Sequence, residues 1–203
     1  PRAAPRRWRR APEPGRAAVT ILVVYATTEG QTRRIARFVA HRLAGRGHGV
    51  ELLAVTDAEE IDWAPVEAAV LAGSIHMGRV QADLAAFAAE HAAALNARPT
   101  LFLQVSLCAA GTNPEELAEI ERIARTFCAE AGWRPGRVVQ VAGAFRFTQY
   151  DFFRRWAMRH IAAQKGETVD PGQDREYTDW AALAALCDAW TEDLGEVSAH
   201  PRT

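Results

Sequence analysis

The stretch that decides the fold is residues 19–32, VTILVVYATTEGQT. It begins with a continuous run of β-branched and apolar residues, which is short enough to be a strand buried on both faces. The run ends in two threonines, a glutamate and a glycine, and a helical pattern of apolar residues follows. A buried strand that passes through a hydroxyl-rich turn into a helix is typical of a parallel sheet covered by helices.

Strand and helix patterns alternate along the rest of the chain. The five predicted strands cover residues 19–25, 50–55, 68–73, 100–106 and 138–142. Apolar residues at helical spacing predict the helices between them, with one continuous helix over residues 84–95, and Asn113 and Pro114 predict the start of another. This order predicts an α/β fold, a flavodoxin-like doubly wound five-stranded parallel sheet. Such a sheet binds ligands at the carboxyl ends of its strands.

The predicted domain covers residues 19–195 and lies between two tails, residues 1–18 and 196–203. Six arginines and one glutamate lie in residues 1–20, whereas the whole chain of 203 residues has a net charge of −1. The first tail is rich in proline, alanine and arginine without an apolar period, so we expect it to be disordered. A solvated extension is the preferred explanation of this composition, without a nucleic-acid partner, and contact of the tail with nucleic acid or a membrane is the alternative.

Composition limits the class of protein. The chain is 49% hydrophobic and 24% charged, which is ordinary for a globular domain. No apolar stretch reaches the ~18 residues that a membrane-spanning helix needs. Three cysteines far apart, Cys108, Cys128 and Cys187, argue against a disulfide framework and a zinc site. We therefore expect a cytoplasmic protein without a metal site.

The loop after the first strand has the features of a phosphate site. A helix N-terminus offers free N–H groups and the positive end of the helix dipole. The loop has no lysine and no G-x-G-x-x-G pattern, so neither a triphosphate with Mg²⁺ nor a dinucleotide is expected. A single terminal phosphate remains as the ligand. The candidate residues are Thr27, Thr28, Glu29, Gly30, Gln31 and Thr32.

Two further loops are predicted at the same edge of the sheet, after the third and fourth strands. Both contain small, flat or polarisable side chains, which suit a planar heteroaromatic ring. A phosphate site beside such loops predicts flavin mononucleotide (FMN) as the cofactor. The candidate ring-binding residues are Ser74, Ile75, His76, Met77 and Gly78 in one loop and Ser106, Leu107 and Cys108 in the other.

Longer motifs carry a resemblance to one family. They are ATTEGQTRRIA (26–36), AGSIHMG (72–78), WRPGR with VAGAFRF (133–147), and GET with YTDW (166–180). With these motifs the chain resembles the flavodoxin-like, quinone-dependent protoporphyrinogen IX dehydrogenases over nearly all residues after the tail. The resemblance implies FMN as cofactor, removal of hydrogen from protoporphyrinogen IX in haem biosynthesis, and transfer of electrons to a quinone.

His76 is the only candidate for a catalytic side chain. Beside a flavin, a histidine can assist proton transfer because it titrates near neutral pH. It can equally be a loop residue that stacks or hydrogen-bonds without a role in the chemistry. The sequence leaves the two interpretations open, so the catalytic residue is unknown.

The stretch between the fifth strand and the last helix, residues 148–175, is too long for a simple connection. Within it, residues 150–161 (YDFFRRWAMRHI) form a helical pattern with an aromatic face opposite an arginine face. That pattern is typical of a helix in a membrane interface. It predicts peripheral contact with the inner face of the cell membrane. A face packed on the sheet or in a dimer contact has the same pattern, so an oligomer stays open.

An electron carrier is the alternative function. A flavodoxin that carries one or two electrons to a protein partner would share the fold and the cofactor. Carriers of this kind usually dock through a strongly acidic surface. Residues outside the basic tail carry only a modest negative charge and include the aromatic and basic insertion. These features favour the enzyme over the carrier.

Overall fold

The computed structural model of the protein describes residues 6–8, 18–58, 60–145 and 175–199. Its strands are β1 Arg6–Trp8, β2 Thr20–Ala26, β3 Gly49–Ala54, β4 Ala68–His76, β5 Arg79–Val80, β6 Thr100–Ser106, β7 Arg137–Ala142, β8 Ala144–Phe145 and β9 Arg175–Glu176. Its helices are α1 Gln31–Gly45, α2 Ala82–Glu90, α3 Ala92–Asn96, α4 Pro114–Glu130 and α5 Trp180–Ala199, with short 3-10 helices at Val55–Asp57 and Cys108–Ala110.

The central sheet has the strand order β3-β2-β4-β6-β7, and all four neighbouring pairs are parallel. The chain leaves β2 toward one side for β3 and returns to the other side for β4, so the order reverses between β2 and β4. Helices α1 and α5 pack on one face of the sheet, and α2, α3 and α4 pack on the other. This arrangement confirms the predicted doubly wound α/β fold.

Alternate residues of the strands supply the two layers of the core. On β2, Val23 packs toward α1 and α5, whereas Leu22 and Val24 pack toward the helices of the opposite face. All seven residues of β6 are buried. Burial on both faces explains why these strands are continuous apolar runs in the sequence and do not alternate with polar residues.

The register of the sheet brings the carboxyl ends of four strands to one edge. Ala26 lies opposite Gly73, Ser74 opposite Val105, and Ser106 opposite Ala142. At Gly73 an added Cβ would lie 2.5 Å from Leu84 Cδ2, so glycine is needed for α2 to pack this closely on β4. The loops that carry the candidate ligand-binding residues therefore meet at the same edge.

The predicted single helix over residues 84–95 is wrong. The structure has two helices, α2 and α3, with a break at His91, where φ is −102° and ψ is 14°. The His91 ring packs 4.5 Å from the Phe87 ring, and its Nδ1 accepts a hydrogen bond from Trp63 Nε1. We attribute the break to the hydrogen bond with Trp63, which lies 28 residues away, because the apolar spacing alone fits one continuous helix.

Both ends of the chain differ from the prediction where they are described. Residues 6–8 of the tail form β1, which pairs antiparallel with β3, so the prediction of disorder is wrong for these three residues. Helix α5 continues to Ala199, past the predicted boundary at residue 195. In the part of the chain that the structure describes, no helix is long and apolar enough to cross a bilayer.

The insertion predicted at residues 148–175 lies outside the described residues except for Arg175, and so does the amphipathic pattern at residues 150–161. Its two flanks are described. Strand β8 precedes it and β9 follows it, and the two strands pair antiparallel, with Ala144 opposite Glu176. The chain therefore leaves and rejoins the domain at one place, just beyond the carboxyl end of β7.

Candidate functional site

A pocket lies at the carboxyl ends of β2, β4, β6 and β7, beside the reversal of strand order between β2 and β4. Doubly wound sheets bind ligands at this position. The three segments predicted from the sequence meet in it. The lining residues are Thr27, Thr28, Glu29, Gln31, Thr32, Ser74, Ile75, His76, Val105, Ser106, Leu107, Gly143 and Ala144.

The start of α1 forms one wall of the pocket. Its N-cap, Gly30, has a φ of 89° and has no side chain to cap the helix. The first N–H groups of a helix have no acceptor within it, and they lie at the positive end of the dipole. The first turn contains no acidic residue, and it contains Arg33 and Arg34. This wall of the pocket therefore favours an anion.

Gln81 joins two of the loops, although the sequence did not indicate it. Its Oε1 accepts the Ser74 N–H at 2.9 Å, which fixes the orientation of the amide because a backbone N–H needs an acceptor. Its Nε2 then donates to Ser74 Oγ at 2.8 Å and to Thr28 Oγ1 at 3.3 Å. Gln81 thereby ties the loop after β2 to the end of β4.

Four hydroxyl groups of the pocket make the same kind of hydrogen bond, in which the hydroxyl oxygen accepts an N–H. Thr27 Oγ1 accepts the Gly30 N–H at 2.9 Å, and Ser106 Oγ accepts the Ala109 N–H at 3.2 Å. Thr28 and Ser74 accept from the Gln81 amide in the same way. A hydroxyl whose oxygen accepts an N–H still has its own hydrogen to donate. These four hydroxyls are therefore available as donors in the pocket, which fits a phosphate and the polar edge of a flavin.

Four predicted residues lie next to the pocket and do not line it: Gly30, Met77, Gly78 and Cys108. The sequence predicted a loop after the third strand, but β4 continues to His76 and turns through a hairpin into β5. Met77 and Gly78 form the hairpin tip, with φ of 51° and 77°, and Met77 is 87% exposed. Cys108 lies in the 3-10 helix that follows Leu107.

Three lining residues were missed by the sequence interpretation: Val105, Gly143 and Ala144. Gly143 and Ala144 follow β7, whose carboxyl end lies at the same edge of the sheet as the other three. The rule that ligands bind at the carboxyl ends of parallel strands was sufficient to find this loop. His76 lies on the pocket wall at the end of β4 and is exposed.

The sequence matches the flavodoxin domain family over residues 22–171. Protoporphyrinogen IX dehydrogenase [quinone] of Escherichia coli (strain K12) is 32% identical over 164 residues, which are 80% of this chain and 90% of that protein. The protein of the same name from Leishmania major is 29% identical over 163 residues, which are 80% of this chain and 70% of that protein.

Among solved structures, oxidised flavodoxin 1 from Bacillus cereus superposes with a TM-score of 0.53 at 12% sequence identity, covering 85% of this chain and 97% of that one. At this identity the likeness establishes the fold alone. The match to the flavodoxin domain supports the predicted FMN cofactor, and the donor-lined pocket fits it. With the family match over most of its length and relatives of one name, the chain belongs to the flavodoxin-type protoporphyrinogen IX dehydrogenase family.

Proposed function

We propose that this pocket binds FMN. The phosphate would take the threonine hydroxyls and the free N–H groups at the start of α1. The ring would lie between the end of β4 on one side and the loops after β6 and β7 on the other. One observation carries this proposal: four hydroxyl oxygens of the pocket each accept an N–H of the protein, so each hydroxyl still has its hydrogen to donate to a ligand. They belong to Thr27, Thr28, Ser74 and Ser106.

The protein's own residues bind and orient the cofactor in this proposal. Bound FMN supplies the centre that takes up and releases electrons in pairs. Backbone and hydroxyl donors would hold its phosphate, and Ser74 at the end of β4 would offer a donor to a polar part of the cofactor. His76 is exposed on the pocket wall, where its imidazole can exchange a proton with a substrate. Ile75, Leu107 and Ala144 give the ring an apolar setting.

The proposed reaction is oxidation of protoporphyrinogen IX to protoporphyrin IX with a quinone as acceptor. The six hydrogen atoms that leave the porphyrinogen are passed on in pairs to three quinone molecules, each of which becomes a quinol. Support comes from the relatives of that name, which share 29–32% identity over 80% of this chain. The pocket lies at the edge of the sheet, where a large macrocycle could reach a cofactor bound in it.

The proposed location is the cytoplasmic face of the cell membrane, where an apolar quinone and an apolar porphyrinogen both concentrate. Residues 150–161 are the proposed point of contact because their aromatic and arginine faces suit a membrane interface. The described flanks of this stretch, β8 and β9, pair with each other, and Ala144 of β8 lines the pocket. A membrane contact there would bring the pocket close to the lipid surface.

The purified protein tests this function in two steps. Heat-released cofactor is identified by mass, and FMN is expected, whereas a flavin that contains adenine would contradict the proposed site. Oxidation of protoporphyrinogen IX is then followed without oxygen by porphyrin fluorescence, with and without a quinone. We expect porphyrin to form only with both protein and quinone present. Bound FMN without porphyrin formation would instead favour the electron carrier.

A further inference from the structure

The Gln31 side chain joins the start of α1 to the chain that returns from the insertion. Its Nε2 donates to Glu176 Oε1 at 2.6 Å and to Thr178 Oγ1 at 2.9 Å, although about 145 residues separate these partners in sequence. Gln31 and Thr178 are 9% and 8% exposed. Both hydrogens of the amide are therefore used between distant segments, in a buried bond to Thr178 and a partly buried bond to Glu176.

The partners of Gln31 are themselves fixed to the end of β7. Thr178 Oγ1 donates to the Ala142 carbonyl oxygen at 2.7 Å. The Tyr177 N–H donates to the Gly143 carbonyl oxygen at 3.0 Å. Gly143 lines the pocket, as does Gln31. The first turn of α1 is thus connected through side chains to the opposite wall of the pocket.

Arg34 adds an ion pair to the same contact. Its Nη1 lies 3.1 Å from Glu176 Oε1, and its guanidinium stacks over the Trp180 ring at 5.7 Å. The Trp180 ring in turn packs 4.9 Å from the Phe38 ring of α1. The segment Glu176–Trp180 therefore contacts the first two turns of α1 by hydrogen bonds, an ion pair and aromatic packing.

The start of α1 depends on such a contact because its N-cap is glycine. An N-cap side chain usually accepts an N–H of the first turn and holds the helix end in place. Gly30 cannot do so, and no side-chain cap bond is present. The side-chain amide of Gln31, at the first position of the helix, instead holds the first turn through its hydrogen bonds to Glu176 and Thr178. The N–H groups of the first turn are therefore held in place without an N-cap side chain, which would compete with a ligand for these donors.

We propose that Gln31 is a positioning residue for the FMN phosphate, and that phosphate binding is coupled through Gln31 to the segment Glu176–Trp180. This inference rests on the proposed FMN site. Binding that orders the first turn of α1 also stabilises the hydrogen bonds to Glu176 and Thr178, and the coupling acts equally in both directions. The YTDW motif at residues 177–180 then acts on the phosphate site through the hydrogen bond between Thr178 and Gln31, in addition to starting α5.

The test compares FMN with riboflavin, which has the same ring and no phosphate. Both dissociation constants are measured by fluorescence quenching on the cofactor-free protein. We expect Gln31→Leu and Thr178→Val to weaken FMN binding at least about fivefold, the effect of one lost neutral hydrogen bond, and to leave riboflavin binding unchanged. Thr178→Ser keeps the hydroxyl and should bind FMN as the parent does. Arg37→Ala, on the exposed side of α1, is the matched control.

Hydrogen exchange at the Tyr177 amide gives a second readout. FMN should slow this exchange in the parent, riboflavin should slow it less, and FMN should have little effect on it in Gln31→Leu. Equal losses of FMN and riboflavin affinity in both variants would mean a general loss of structure and would overturn the inference. Unchanged FMN affinity in Gln31→Leu would also overturn the inference. If Gln31→Leu does not fold, unchanged FMN affinity in Thr178→Val would overturn it instead. A parent that binds no FMN would instead refute the proposed function itself.

Discussion

Gln81 Nε2 donates a hydrogen bond to Thr28 Oγ1 across 3.3 Å, although 53 residues separate the two along the chain. The same amide bonds both the N–H and the hydroxyl of Ser74. One side chain therefore sets the donor direction of two hydroxyls that belong to different loops. We therefore expect that loss of the Gln81 amide weakens FMN binding and leaves the packing of the hydrophobic core unchanged.

Gln81→Leu should weaken FMN binding by about 1–2 kcal/mol, because a neutral hydrogen bond contributes about 1 kcal/mol and the Ser74 N–H loses its acceptor. Fluorescence titration of the cofactor-free protein with FMN measures the change. Gln140→Leu removes an amide of the same sheet that does not line the pocket, and it should leave FMN affinity unchanged. Equal affinity of the parent and Gln81→Leu would show that Gln81 does not orient the site.

Gly30→Val should abolish FMN binding and leave the sheet folded. Gly30 has a φ of 89°, and an added Cβ would meet no protein atom within 4 Å. The branched side chain would therefore extend into open space beside the first turn of α1, where the phosphate is expected. The left-handed backbone should also cost about 1–2 kcal/mol of stability. Flavin absorbance after purification and a thermal melt measure the two effects.

Gly132→Val is the matched control for this substitution. Gly132 has a φ of 65°, and an added Cβ there would also meet nothing within 4 Å. It follows α4, away from the FMN pocket, so the variant should lose similar stability and keep its flavin. A Gly30→Val protein that is folded and still yellow would mean that Gly30 does not adjoin the phosphate.

Residues 150–161 should bind reversibly to vesicles that contain anionic lipid. An aromatic face gains roughly 25 cal/mol per Å² of apolar area that leaves water. Each arginine near the surface adds about 1 kcal/mol. Neither contribution is large enough for permanent attachment, so binding should weaken as salt is added. Co-sedimentation with liposomes at increasing salt measures it.

Two variants separate the contributions to vesicle binding. One replaces the aromatic residues with serine, at Phe152, Phe153 and Trp156. The other reverses charge with glutamate, at Arg154, Arg155 and Arg159. We expect each to reduce co-sedimentation while FMN stays bound, and the salt dependence to persist in the serine variant and to be lost in the charge-reversal variant. Unchanged binding in both variants would assign the pattern to a protein contact.

Cys128 should react slowly with alkylating reagents in the folded protein. Burial raises the pKa of its thiol to about 11. Since the thiolate is the reactive form, roughly one thiol in a thousand is reactive at pH 8, and the rate should rise about tenfold per pH unit until the pKa is reached. Mass spectrometry of the Cys128 peptide measures the rate. The protein unfolded in urea should react much faster at pH 8, and equal rates would contradict the burial of this thiol.

Much of the fold was predictable because local patterns decide it. Continuous apolar runs predict strands buried on both faces, and Asn113 with Pro114 marks the start of α4, where the Asn113 side chain accepts the Glu115 N–H as expected. The break at His91 was not predictable, because its contact with Trp63 comes from a different segment of the chain. The sequence likewise predicts a loop at Met77, where the structure has a hairpin between β4 and β5.

The candidate site was also predictable from the sequence only in part. The sequence determined by itself that a hydroxyl-rich turn with Gly30 follows the first strand, since the residue types and the start of a helix are local properties. Only the tertiary structure decided which residues complete the pocket. Gly143 and Ala144 reach it through the parallel register of β6 and β7, which no local pattern records.

The side-chain bonds that direct the donors also depend on tertiary structure. Gln81 reaches Thr28, and Gln31 reaches Glu176 and Thr178, because the sheet brings the ends of β2, β4 and β7 together. Propensity and periodicity describe a residue's own neighbours in sequence, so they identify the strand, the turn and the helix. The direction in which a hydroxyl donates depends on a partner that lies 53 residues away for Thr28 and 147 residues away for Thr178, and the packing of the fold brings that partner close.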